Sequence, residues 1–151
     1  GQLAEAMAPF VARVIAVDES SAMLRAARGR LDAFDNVDFR HGTLETLPVD
    51  EGELDVALLS PVLHYVAEPQ LALSNTSRAL KRGGRLLLVD MLPHDRAEYR
   101  ETMGHLWQGF SHQQLERWTT DVGLVDFRAH ALPASPAAKG PTLFVASCTK
   151  P

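Results

Sequence analysis

The sequence predicts an α/β protein, a doubly wound and mainly parallel sheet with an antiparallel strand pair at its C-terminal end. Three observations predict it. Short apolar runs at Val14-Ile15-Ala16-Val17 and from Leu54 to Leu59 end at polar residues, and helical patterns follow them. Runs of that length read as strands buried on both faces, as in a parallel sheet. Strands and helices alternate through residue 90, which implies right-handed crossovers. After the last helical pattern, two apolar-rich stretches flank the Pro- and Gly-containing segment 133–141, as in a hairpin.

The elements follow in order. Leu3, Ala6, Met7 and Phe10 recur at helical spacing, and Pro9 suggests the end of that helix. The strand at 13–18 closes on Asp18. Ser20 or Ser21 then caps a helix whose inner face is Met23, Leu24, Ala27 and Leu31. Residues 36–41 alternate as a short strand, Gly42-Thr43-Leu44-Glu45 leaves it, and 54–60 is a further buried strand. Pro69 suits the first helical position, Leu73 and Leu80 face inward, and Gly83-Gly84 stops that helix before a strand at 85–90. Ser111-His112-Gln113-Gln114 resembles a capping box for a helix that buries Leu115, Trp118 and Val122 and stops at Gly123. The final strands are expected at 125–132 and 142–148. Asp18, His41, Ser60 and Asp90 close the four early strands and so share one rim, where open α/β sheets bind ligands.

Composition narrows the function. The 151 residues are 46% hydrophobic and 23% charged, enough for one domain with a core, read as spanning 1–151 with its motifs in 1–90. A net charge of −4 without a basic run argues against nucleic-acid contact by this segment. No apolar stretch reaches membrane-spanning length. A lone cysteine, Cys148, excludes an internal disulfide and suits a cytoplasmic setting. No metal-ligand spacing occurs.

Four stretches carry a resemblance. They are 14–18 with Ser21 and Met23-Leu24, then Gly42 to Pro48, then 54–60 running into Val62-Leu63-His64-Tyr65-Val66, and finally Leu80 to Asp90. In this order and spacing the chain resembles the class I S-adenosylmethionine (SAM)-dependent methyltransferases, with their Rossmann-like sheet. Residues 92–110, with His94, Tyr99, Met103-Gly104-His105 and Trp107, are similar to methyltransferase domains fused behind arsenic-repressor-type winged-helix regulators. That likeness implies an N-terminal winged-helix domain as a partner within the full protein. The family's first, central strand and its Gly-x-Gly-x-Gly turn are not in this sequence, and Gly1 fits the turn's last glycine. The chain is therefore expected to be an N-terminally truncated fragment, inactive by itself, whose missing strand would leave two sheet edges unpaired.

The resemblance also implies the site. SAM is the expected cofactor, held by Gly1, Asp18, Glu19, Met23, Gly42, Thr43, Leu44, Ser60, Pro61 and Val62. Asp18 would accept both ribose hydroxyls, or else cap the following helix. Thr43 and Leu44 would edge the adenine, and Ser60, Pro61 and Val62 would meet the methionine end. The acceptor is expected to be a small molecule. His64, His94 and His105 are the candidate catalytic residues, since imidazole titrates near neutrality and serves as a base. Against each stands a structural reading: a buried histidine at the rim, or a solvated helix with two buried aromatics around Trp107. Asp90 either points into the site or caps the next helix. His41, His112 and His130 read as surface residues. Two other functions fit the same pattern: a regulator's domain that senses SAM or a nucleoside without turnover, and a nicotinamide-dependent oxidoreductase fragment.

Overall fold

The computed structural model describes every residue, Gly1–Pro151, and the chain forms two compact units, Gly1–Pro48 and Val49–Pro151.

In the first unit, β1 (Val14–Asp18) pairs in parallel with β2 (Val37–His41), with Asp18 opposite His41 at the carboxyl ends. The crossover is α2 (Ser21–Arg30). Ser20 caps it as expected: its hydroxyl accepts from the Met23 amide at 3.2 Å. Leu24, Ala27 and Leu31 are buried, but Met23, expected on the inner face, is 57% exposed. The first helix is also shorter than its periodicity suggests. It runs as α1 (Gln2–Met7), then a 3-10 turn at Ala8–Phe10. Its apolar stripe is not core. Leu3 and Met7 are exposed, Phe10 is 83% exposed, and Ala8 alone is buried. The Asn36 side-chain amide anchors this turn by donating to the carbonyls of Ala8 (2.8 Å) and Val11 (3.0 Å).

The second unit is a four-stranded sheet in the order β3 (Leu54–Leu59), β4 (Leu80–Met91), β6 (Leu143–Thr149), β5 (Val125–Ala131). β3 and β4 run parallel; β6 is antiparallel to both β4 and β5, which gives the expected C-terminal pair. The connecting helices are α3 (Pro69–Ala79), α4 (Glu98–Met103) and α5 (His112–Asp121). Leu73 and Ala72 of α3, Leu115 and Thr119 of α5, and Leu86, Leu88, Phe144 and Ala146 of the sheet make the core. Ser111 caps α5, accepting from the Gln114 amide at 3.1 Å, and Gly123 at φ +85° ends it.

Two expectations need correction here. The helix ending at Ala79 is not stopped by Gly83-Gly84. Those glycines lie within β4, where the pairing with β3 shifts register between Leu54 and Val56. A side chain at Gly84 would stand 2.7 Å from the Lys81 carbonyl and 3.1 Å from that of Asp55, so the strands close up only because none is there. And β3 is not buried on both faces: Ala57 and Leu59 are buried, whereas Val56 is 54% and Leu58 37% exposed. β3 is an edge strand, and this half of its apolar surface has no cover. No helix is long and apolar enough to cross a membrane.

Candidate functional site

In the first unit the candidate residues centre on the carboxyl end of β1. The Asp18 carboxylate is half-buried there, and one of its oxygens, Oδ1, accepts from the Ser20 amide at 2.8 Å. That bond sets the carboxylate's direction. Gly42 follows β2, and its amide donates to the Asp18 carbonyl at 3.1 Å. A Cβ at Gly42 would lie 2.6 Å from Cδ of Pro48, so the glycine accommodates the proline ring. The Thr43 hydroxyl is spent on a turn, accepting from the Thr46 amide at 3.0 Å and bonding the Thr46 hydroxyl at 2.8 Å. Glu19 and Met23 are exposed, and the Glu19 carbonyl is met by His41 Nε2 at 2.8 Å. A Cβ at Gly1 would meet Arg30 and Ala27 of α2 at 3.3 to 3.4 Å.

In the second unit, Ser60 and Pro61 leave β3 exposed, with Val62 half-buried. A 3-10 turn (Leu63–Tyr65) follows and carries His64, which is 3% exposed. Its Nδ1 lies 2.9 Å from Oδ1 of Asp90, a carboxylate with no exposure at all. Asp90 also accepts from the backbone amides of Met91 (2.8 Å) and His64 (3.3 Å). Of the two readings open for Asp90, neither describes this: the side chain turns back to hold His64. With Nδ1 as the donor to this carboxylate, Nε2 is the remaining acceptor of the His64 ring.

Rings crowd around His64. Tyr65 and His105 lie 4.1 and 4.2 Å from it by ring centroid, Tyr99 packs edge-on to His105 at 5.2 Å, and His94 lies 5.6 Å from Tyr99. Burial above all, then the neighbouring imidazoles of His64 and His94, hold His105 below the ordinary histidine value, against a smaller opposing pull from Asp90. His105 Nδ1 and His94 Nε2 are buried without a hydrogen-bond partner.

These groups open on a cavity of about 700 Å³ whose wall includes Pro61, His64, Tyr65, Tyr99, Met103 and His105. The opposite wall is the hairpin loop between β5 and β6, from Leu132 to Leu143. The three candidate histidines thus gather in one cluster, but only His64 and His105 line the cavity. His94 stands off it and bonds the Arg96 amide through Nδ1 at 3.1 Å. Trp107 is half-buried and structural: its indole donates to the Val66 carbonyl at 2.9 Å, and its ring packs on Phe110 and edge-on against Trp118. His112 is not a surface residue, since its ring packs on Phe144 at 5.5 Å with Nε2 buried. Sequence reasoning missed the hairpin wall altogether, because a loop of Pro, Ala, Ser and Gly with a single Lys139 gives little chemical signal. Tyr99 and Met103, one helical turn apart on α4, carried a faint one.

Residues 1–88 match the family model described as a methyltransferase domain. Demethylmenaquinone methyltransferase of Clavibacter sepedonicus is 37% identical over 90 residues, 60% of this chain and 37% of that protein. The uncharacterized methyltransferase YcgJ of Bacillus subtilis is 31% identical over 108 residues, 70% of this chain and 43% of its own. Its crystal structure superposes on the whole chain and 88% of that structure, with a TM-score of 0.80 and 20% identity. Phosphoethanolamine N-methyltransferase 2 of Haemonchus contortus, solved with S-adenosyl-L-methionine, reaches a TM-score of 0.84 at 16% identity, over the whole chain and 46% of that structure. The chain spans from 25% to 43% of the length of the first curated relatives it matches. With the model match over more than half its length and a fold like that of solved methyltransferases, the chain belongs to the methyltransferase-domain family of class I, SAM-dependent methyltransferases.

Proposed function

We propose that this chain serves SAM-dependent methyl transfer to a small-molecule acceptor. SAM supplies, when bound, an electrophilic methyl group on a sulfonium, so the protein's task is largely to position the acceptor. The residues fit such a cofactor. Asp18 offers a directed, half-exposed carboxylate at the strand end, suited to two ribose hydroxyls. Thr43 and Leu44 follow Gly42 and are the candidates for the adenine edge. Ser60, Pro61 and Val62 leave β3 with exposed or half-buried positions for the methionine end. Glu19, Met23 and Gly1 are further candidates on exposed positions of the first unit. The acceptor is assigned to the cavity beside His64 and His105.

The oriented Asp18 carboxylate carries this reading. Hydrogen bonds to a charged group contribute about 1.5–3 kcal/mol, so Asp18→Ala is expected to weaken SAM binding about ten- to a hundredfold in the intact protein. Calorimetric titration tests this, and an unchanged affinity refutes the assignment.

The same reading gives the free edge of β3 to a further strand of the family's sheet. The edge position and the uncovered Val56 and Leu58 support it. Supplying about 15 residues upstream, enough for a strand and its turn, should raise the melting temperature and the SAM affinity together. No change in either quantity argues against it.

A further inference from the structure

We propose that the cavity takes an acceptor whose reacting group is an uncharged, weakly acidic hydroxyl, a phenol or an enol, and that His64, positioned by Asp90, receives its proton. The inference rests on the methyltransferase reading and names the acceptor class for it.

The walls decide against a cationic acceptor. No carboxylate lines the cavity, and Lys139 is its one charged side chain. The nearby acid, Asp90, is wholly buried and already holds two backbone amides and the His64 ring. An ammonium group here would find no carboxylate on the wall to pair with. The tyrosine and histidine rings suit a planar, aromatic or conjugated body.

The His64–Asp90 pair supplies what a hydroxyl acceptor needs. A hydroxyl is a poor nucleophile until its proton leaves. With Nδ1–H donated to Asp90, Nε2 is the ring nitrogen left to accept it. The acceptor's O–H bond breaks, its electron pair stays on oxygen, and a new N–H bond forms on Nε2. The imidazolium then faces the Asp90 carboxylate. Burial and the neighbouring imidazoles, which lower His105, disfavour a second positive charge beside it. Asp90 is thus a positioning residue, acting through His64 without touching the acceptor.

Binding of three nitroaromatic probes to the intact protein tests this: 4-nitrophenol, 4-nitroanisole and 4-nitrobenzylammonium. Bound 4-nitrophenol should show the visible phenolate absorbance more strongly than the free probe at the same pH. 4-Nitrobenzylammonium should bind about tenfold or more weakly than either neutral probe. In Asp90→Asn, where the amide no longer enforces the donor tautomer, and in His64→Gln, the phenolate signal should disappear. 4-Nitroanisole affinity should stay within about twofold in whichever of the two variants keeps its circular dichroism, so a collapsed cavity is recognised. An ammonium probe that binds as tightly as the phenol, or a phenolate signal that survives His64→Gln, overturns the inference. SAM affinity is measured in parallel. If SAM binds and the ammonium probe is preferred, the acceptor class alone is wrong. If SAM does not bind, the methyltransferase reading falls and this inference falls with it.

Discussion

Gly42 has no room for a side chain, and the obstacle is a proline ring with little freedom to move aside. With Cδ and Cγ of Pro48 at 2.6 and 2.8 Å from the hypothetical Cβ, Gly42→Ala should destabilise the first unit by about 1–3 kcal/mol. Urea unfolding checks this, and an unchanged midpoint refutes it. His105 makes a pH-dependent contribution. Its folded state binds a proton less readily than the unfolded chain, whose imidazole titrates near 6.5. Below that pH the unfolded state therefore holds more protons, and stability falls as the solution is acidified. His105→Phe keeps a ring and removes the titration, so the loss of melting temperature between neutral and mildly acidic pH should shrink. Cys148 is buried in β6, and burial pushes its thiol up to about 11. Since the thiolate is the reactive form, a thiol reagent should label Cys148 only once the chain is unfolded. Rapid labelling under native conditions contradicts its placement.

At the scale of elements, the cavity depends on two segments without regular structure. Gly109 lets the first of them fold back after α4. It sits at φ +81°, and a Cβ there would fall 2.1 Å from the Leu92 carbonyl oxygen, a backbone atom. Gly109→Ala should cost about 3 kcal/mol and loosen the Trp107–Phe110–Trp118 stack, which near-ultraviolet circular dichroism reports. The second is the hairpin loop 133–141. Arg96 ties it down, donating to the Lys139 carbonyl and to the Tyr99 hydroxyl, the latter at 2.7 Å. Arg96→Ala should leave global stability nearly unchanged while tryptic cleavage after Lys139 accelerates about tenfold, because the bonds lost restrain only local opening. An unaltered cleavage rate removes Arg96 from this role.

At the scale of the whole molecule, the uncovered face and free edge of β3 matter most. An apolar edge strand is a template for pairing with another chain. The 151-residue chain should therefore self-associate with rising concentration, and Val56→Lys should suppress this. Light scattering after size exclusion measures both. A monomer at every concentration, with or without the substitution, shows that the exposed Val56 and Leu58 carry no such tendency.

The sequence by itself determined the order and type of the elements, because periodicity, caps and stops are local. Ser20 and Ser111 cap the helices expected of them, Asp18 ends its strand, and the antiparallel pair closes the sheet. It also determined the family, through motifs whose spacing follows the strand–helix alternation. Which apolar residues become core was not local information. Leu3, Met7 and Phe10 have helical spacing yet stay exposed, and Val56 and Leu58 read as buried yet face outward, because burial depends on what packs across from a residue. The site divides in the same way. His64 and His105 were visible as histidines near the rim. Their union with Asp90, Tyr99 and the hairpin wall was decided by tertiary structure alone, which brings positions 64, 90, 105 and 132–143 around one cavity. A carboxylate 26 residues away gives no local sign that it will fix a histidine's tautomer, since only the parallel pairing of β3 with β4 makes them neighbours.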